Sequence, residues 1–110
     1  MSAGPVSVCA AADIPPGSAK SFELNDEHIA VYNVDGEFYA TAALCTHGFA
    51  DLADGLLEGE IVECPLHFGA FDVRTGKAMQ APCFVDLKTF RTEVKDGQVF
   101  VDLDTPAASA

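Results

Sequence analysis

Positive charge is what this sequence has least of: 6 Lys and Arg stand against 17 Asp and Glu, a formal net charge of −11 over 110 residues. That balance disfavours nucleic acid as a partner, because phosphates are bound by clustered Lys and Arg. An anionic membrane surface is disfavoured for the same reason. Long apolar runs are also missing, and no stretch approaches the roughly 18 residues that a bilayer span requires. Met1 to Ala12 carries neither a Lys or Arg nor a sustained apolar run, so it does not read as a secretory signal. A cytoplasmic location is the resulting expectation. No helical stripe extends beyond about one or two turns. Neither a Gly-rich phosphate loop, a Ser-His-Asp arrangement nor a regularly spaced carboxylate pair stands out, so nothing argues for substrate chemistry. Trp is absent altogether.

What is present is apolar and β-patterned. Hydrophobic residues make up 49% of the chain, too many for a disordered acidic segment. The length suits one modest core, hence one domain over residues 1–110, with 105–110 expected to fray. His28 to Val34 and Glu37 to Thr41 flank Asp35-Gly36, the signature of a tight β-hairpin. Phe90 to Lys95 and Gln98 to Leu103 flank Asp96-Gly97 in the same way. Leu56 to Val62 reads as a turn leading into a strand, and Phe71 to Val73 runs into a turn at Arg74-Thr75-Gly76-Lys77. Val85 and Leu87 share one parity while Phe90 and Val94 take the other, which predicts a bulge or break near Lys88-Thr89. The pattern is all-β, with many short strands in a sandwich or barrel.

Chemistry is concentrated between Leu44 and Phe71. Cys45-Thr46-His47 is followed, after sixteen residues, by Cys64-Pro65-Leu66-His67. With no export signal, cysteines read as thiols or metal ligands rather than a disulfide framework. Thiolate and imidazole together suit a transition metal. A finger-type zinc site pairs Cys with Cys and His with His, whereas each pair here is mixed. Two loops that each donate one sulfur and one imidazole suit a two-iron centre in which one iron takes Cys₂ and the other His₂. A zinc-stabilised binding module is the alternative. Cys9 lies among Val6, Val8 and Ala10 and reads as a strand thiol; Cys83 has no ligand signal, and His28 reads as a solvated histidine opening a strand.

The pattern Cys-x-His-x₁₆-Cys-x-x-His, with Cys-Thr-His-Gly and Cys-Pro-Leu-His as its local runs, resembles the Rieske-type 2Fe-2S proteins. The likeness extends to Asp35–Thr41, Asp54–Gly59 and Phe71–Ala78, and is greatest to the small ferredoxins of bacterial aromatic ring-hydroxylating dioxygenase systems. It implies an antiparallel β sandwich of three sheets with a cluster-binding subdomain at roughly 43–83. Cys45 and Cys64 would bind the inner iron of one 2Fe-2S cluster, His47 and His67 the outer iron, and Gln80-Ala81-Pro82 would supply a covering loop. The implied role is a soluble, monomeric one-electron carrier between a flavoprotein NAD(P)H-dependent ferredoxin reductase and a terminal oxygenase. A small Rieske-like subunit of a larger reductase, such as nitrite reductase, is the alternative within the family.

Two departures set the expected redox level. High-potential Rieske proteins carry a disulfide between the cluster loops, but the matching positions here are Ala50 and Leu66. They also place Ser and Tyr hydroxyls on the sulfurs, where this chain has Gly69 and Phe71. Fewer donors leave more negative charge on a cluster, so the expected potential is nearer about −150 mV than about +300 mV. From Ser21 to Val73 there are eleven Asp and Glu and no Lys or Arg, which suggests docking partners with basic patches.

Overall fold

The computed structural model describes residues 5–24, 27–43, 51–65, 69–80 and 86–103. Ten antiparallel strands lie within them: β1 Val6–Ala10, β2 Ala19–Leu24, β3 Glu27–Val34, β4 Glu37–Ala42, β5 Leu56–Glu58, β6 Ile61–Glu63, β7 Ala70–Asp72, β8 Ala78–Gln80, β9 Thr89–Lys95 and β10 Gln98–Asp102. Two 3-10 turns, Ala11–Asp13 and Leu52–Asp54, are the only helical segments among the described residues. None is long and apolar enough to cross a membrane. The expected tail at 105–110 falls outside the described residues.

Hydrogen bonding gives a six-stranded sheet, β1-β10-β9-β4-β3-β2, and a four-stranded sheet, β5-β6-β7-β8. The larger sheet is pinched at one place. β3 and β4 share six residue pairs, whereas β4 meets β9 only through Ala40↔Phe90 and Thr41↔Thr89. The two halves on either side of that junction pack on each other. Ile29, Val31 and Ala40 meet Phe90, Val99 and Val101 in one core, with Ile14 filling beside them. On the opposite face of β3, Ala30 and Tyr32 pack with Val62, Phe71, Val73 and Leu87 of the smaller-sheet region. Side chains alternate across a strand, so β3 serves two cores at once and five of its residues, Ile29 to Asn33, are buried. The packing therefore has three layers, in agreement with the three-sheet sandwich expected from the sequence, although two layers share hydrogen bonds.

Turn chemistry joins the long strands. Asp35 and Gly36 have φ of 51° and 93°, and Asp96 and Gly97 have 52° and 75°. Two consecutive left-handed residues match the right-handed twist of the flanking strands, as a type I′ turn does. The predicted break near Lys88-Thr89 is also present. Leu87 belongs to the core under the small sheet and Phe90 to the core inside the large one, so the chain changes layer between them. Val85 lies outside the described residues. On edge strand β1 a bulge between Ser7 and Cys9 turns both Val8 and Cys9 toward the core. Burial pushes the Cys9 thiol above its ordinary value, so it is a packed strand thiol.

Candidate metal centre

The smaller sheet is built from three-residue strands, and loops leave from their ends. β5 and β6 form a hairpin through Gly59, whose φ is 57°. Cys64 directly follows β6 and is 2% exposed. Its amide donates to the Gly69 carbonyl at 2.6 Å, and Glu63 pairs with Ala70, which closes the loop between them. The first loop leaves at Ala43, whose amide donates to the His28 carbonyl at 2.9 Å. It ends where the Leu52 amide donates to the Ala43 carbonyl at 2.7 Å. Ala43, Leu52 and Cys64 share one core. The bases of the two loops that carry the Cys-His pairs therefore pack together.

Of the four ligand candidates, Cys64 lies at this junction; Cys45, His47 and His67 fall outside the described residues, as do Ala50, Leu66, Ala81, Pro82 and Cys83. Apolar burial with Val62, Leu52 and Phe71 disfavours a free thiolate at Cys64, so a sulfur ionised there would need a bound cation such as a metal. The donor set, two thiols and two imidazoles, fits a 2Fe-2S centre.

The junction is tight. A Cβ added at Gly55 would strike the Glu63 carbonyl, immediately before Cys64, although Gly55 itself has an ordinary negative φ of −84°. A third loop, running from β8 to Asp86, is fastened similarly. The Ala78 amide donates to Asp86 Oδ1 at 2.9 Å, and the Leu87 amide to the Gly76 carbonyl at 2.7 Å. Gly76, at φ 78°, has no room for a Cβ against the Leu87 carbonyl.

Two carboxylates that looked like surface charge have structural partners. Asp72, 8% exposed, accepts from the Arg74 amide at 2.9 Å and from its guanidinium at 3.1 and 3.3 Å. Burial opposes its charge, but the Arg74 hydrogen bonds and cation prevail and hold the carboxyl below its ordinary value. Asp51 accepts from His28 Nε2 at 2.9 Å and from the Ala53 amide at 2.9 Å. There too burial is outweighed, by bonds from His28, Ala53 and Ser21 and by the His28 charge, so the carboxyl is lowered. His28 is thus a partner of the first loop, and not merely the solvated histidine expected. Its Nδ1 lies 3.8 Å from Glu23. Neighbouring positions give no hint of the pairing, because Asp51 is twenty-three residues away.

The profile of the Rieske [2Fe-2S] domain matches residues 4–91. The chain belongs to the Rieske [2Fe-2S] family. Ferredoxin CarAc of Metapseudomonas resinovorans is 47% identical over 95 residues, spanning 86% of this chain and 89% of the relative. A solved complex of reduced oxygenase and oxidised ferredoxin in carbazole 1,9a-dioxygenase contains a chain 42% identical to this one, with TM-score 0.86 and coverage of 96% and 97%. A structure described as a nitrite reductase (NADPH) small subunit is more distant in sequence, at 26% identity and TM-score 0.76, covering 88% of this chain and 96% of that one. Within the Rieske family the chain therefore lies nearer to these dioxygenase ferredoxins than to that reductase subunit.

Proposed function

We propose that this Rieske protein carries single electrons from an NAD(P)H-dependent flavoprotein ferredoxin reductase to the Rieske centre of a terminal aromatic-ring dioxygenase. Cys45 and Cys64 would hold one iron of a 2Fe-2S cluster and His47 and His67 the other; bound there, the cluster supplies reversible one-electron chemistry. The observation that carries the reading is the burial of Cys64 in the core that also holds Ala43 and Leu52, because a sulfur ligand at that position would lie beside the stem of the other loop. In this role the chain works as a cytoplasmic monomer, with residues 43–83 forming the cluster-binding part of one domain.

The protein's own groups bear on the potential. Phe71 is fully buried in the Cys64 core and has no hydroxyl to give, and the Cys64 amide is engaged by Gly69. The missing hydroxyl at Phe71 supports a potential near the lower Rieske limit, about −150 mV. The acidic band is narrower in effect than in sequence, since Asp51 and Asp72 are tied to His28 and Arg74. Asp54 and Glu58 remain exposed around Leu56, itself 55% exposed, and offer a docking rim for partners with basic patches.

The test is anaerobic transfer with purified partners. The reduced chain should pass one electron to a terminal oxygenase of this class, at a rate that falls as salt rises. Failure to accept electrons from any flavoprotein reductase, or isolation only as a tight subunit of a larger reductase, would favour the nitrite-reductase-type alternative. A colourless zinc protein would dismiss both.

A further inference from the structure

The first ligand loop is fastened at both ends to one residue of a scaffold strand. The His28 carbonyl takes the Ala43 amide where the loop departs, and the His28 imidazole meets Asp51 where it returns. Asp51 then uses its other oxygen to accept the Ala53 amide and start the 3-10 turn, while Leu52 bonds back to Ala43. His28 sits on β3, which is clamped between two cores and paired on both edges, so the anchor is among the least yielding elements of the fold.

We propose that His28 is a positioning residue for the cluster, a latch that acts through Asp51 and ties both ends of the segment bearing Cys45 and His47, at Ala43 and Asp51, to β3. The proposal rests on the ligand assignment given above. Among the described residues two carboxylates face the imidazole: Asp51 from the turn and Glu23 from β2. The nearby Lys88 is directed to Glu27, at 3.7 Å. With Nε2 donating to Asp51, a neutral ring turns its Nδ1 lone pair toward Glu23, whereas a charged ring keeps the bond to Asp51 and is attracted by the Glu23 charge 3.8 Å away. The latch therefore holds in either state and is stronger when the imidazole is charged.

The cluster-loaded protein provides the test, through the rate at which a chelator bleaches its visible absorbance and through amide exchange at Leu52, Ala53 and the remote Val99. His28→Leu should speed bleaching about five-fold, the scale of a partly exposed charge-assisted hydrogen bond. Exchange at Leu52 and Ala53 should rise in step while Val99 is unchanged. His28→Gln, which keeps a donor of similar reach, should return bleaching to within about two-fold of the parent. Should His28→Leu not fold, Asp51→Asn, which still accepts from Ala53, should speed bleaching about three-fold. Unchanged bleaching in these variants, or equal acceleration at Leu52, Ala53 and Val99, overturns the latch. Pulsed EPR of the parent separates the two claims. Paired imidazole nitrogens with unaltered bleaching refute the latch alone, and missing nitrogens refute the ligand assignment and the latch with it.

Discussion

The two sheets solve the folding problem in different ways. The six-stranded sheet uses strands of five to eight residues, left-handed Asp-Gly turns and cores of Ile, Val and Phe. The four-stranded sheet has only three-residue strands. Too short to be secured by ladders alone, it is fixed by close backbone approaches at Gly55 and Gly76 and by carboxylates bonded to specific amides. The scaffold therefore tolerates change at its turns. The loop-bearing sheet tolerates little, because what positions Cys64 is contact between backbones.

Glycine substitution should expose that difference most sharply. Gly55→Ala drives a Cβ into the Glu63 carbonyl, and overpacking against backbone should cost about 3 kcal/mol or more. Thermal unfolding should show a large loss of stability and poor cluster incorporation; a parent-like Tm would mean the junction is loose. An intermediate effect is expected from Asp72→Asn, which weakens the bonds to Arg74 and should lower Tm by about 3 °C. The sign with pH follows from lowered carboxyls at Asp51 and Asp72. Their contribution is complete above the ordinary Asp value of about 3.9 and is lost as pH falls through their lower folded values. The Tm difference between Asp72→Asn and the parent should accordingly shrink in acid, and a difference that grows there would contradict the assignment.

Phe71→Tyr tests the site's electronic character with less structural disturbance. A hydroxyl that reaches a sulfur should raise the potential by tens of millivolts, on the order of 50 mV. No change in voltammetry would mean that the inward-facing ring does not approach the cluster. The smallest effect should come from Gly97→Asn in the scaffold. No atom lies within 4 Å of a Cβ there, and Asn tolerates the left-handed φ of 75°. A change beyond about 1 kcal/mol in denaturant unfolding would erase the contrast between the two sheets.

The same contrast governs what the sequence discloses. Hairpins were legible because Asp35-Gly36 and Asp96-Gly97 act locally, and the layer change at Lys88-Thr89 because alternation reports which face is buried. The two Cys-His pairs stand out in the sequence because the members of each pair are close neighbours. His28 and Asp51 do not, since each looks like an ordinary polar residue until the fold sets them 2.9 Å apart. Gly55 follows Asp54 and could pass for another turn glycine, but its φ is negative and its need is for space beside Glu63. Strand β8, only Ala78–Gln80, carries too little alternation to be read before the paired strand β7 is known.

On the proposed reading, one 2Fe-2S cluster is held by two cysteines and two histidines at the packed loop bases. Pulsed EPR on the reduced protein, with imidazole nitrogens labelled, addresses it most directly. Two histidine nitrogens should couple to the cluster spin, with the signal lost in His47→Ala and His67→Ala because the cluster no longer assembles. A reduced cluster with no coupled imidazole nitrogen, or one that persists in either variant, would contradict it.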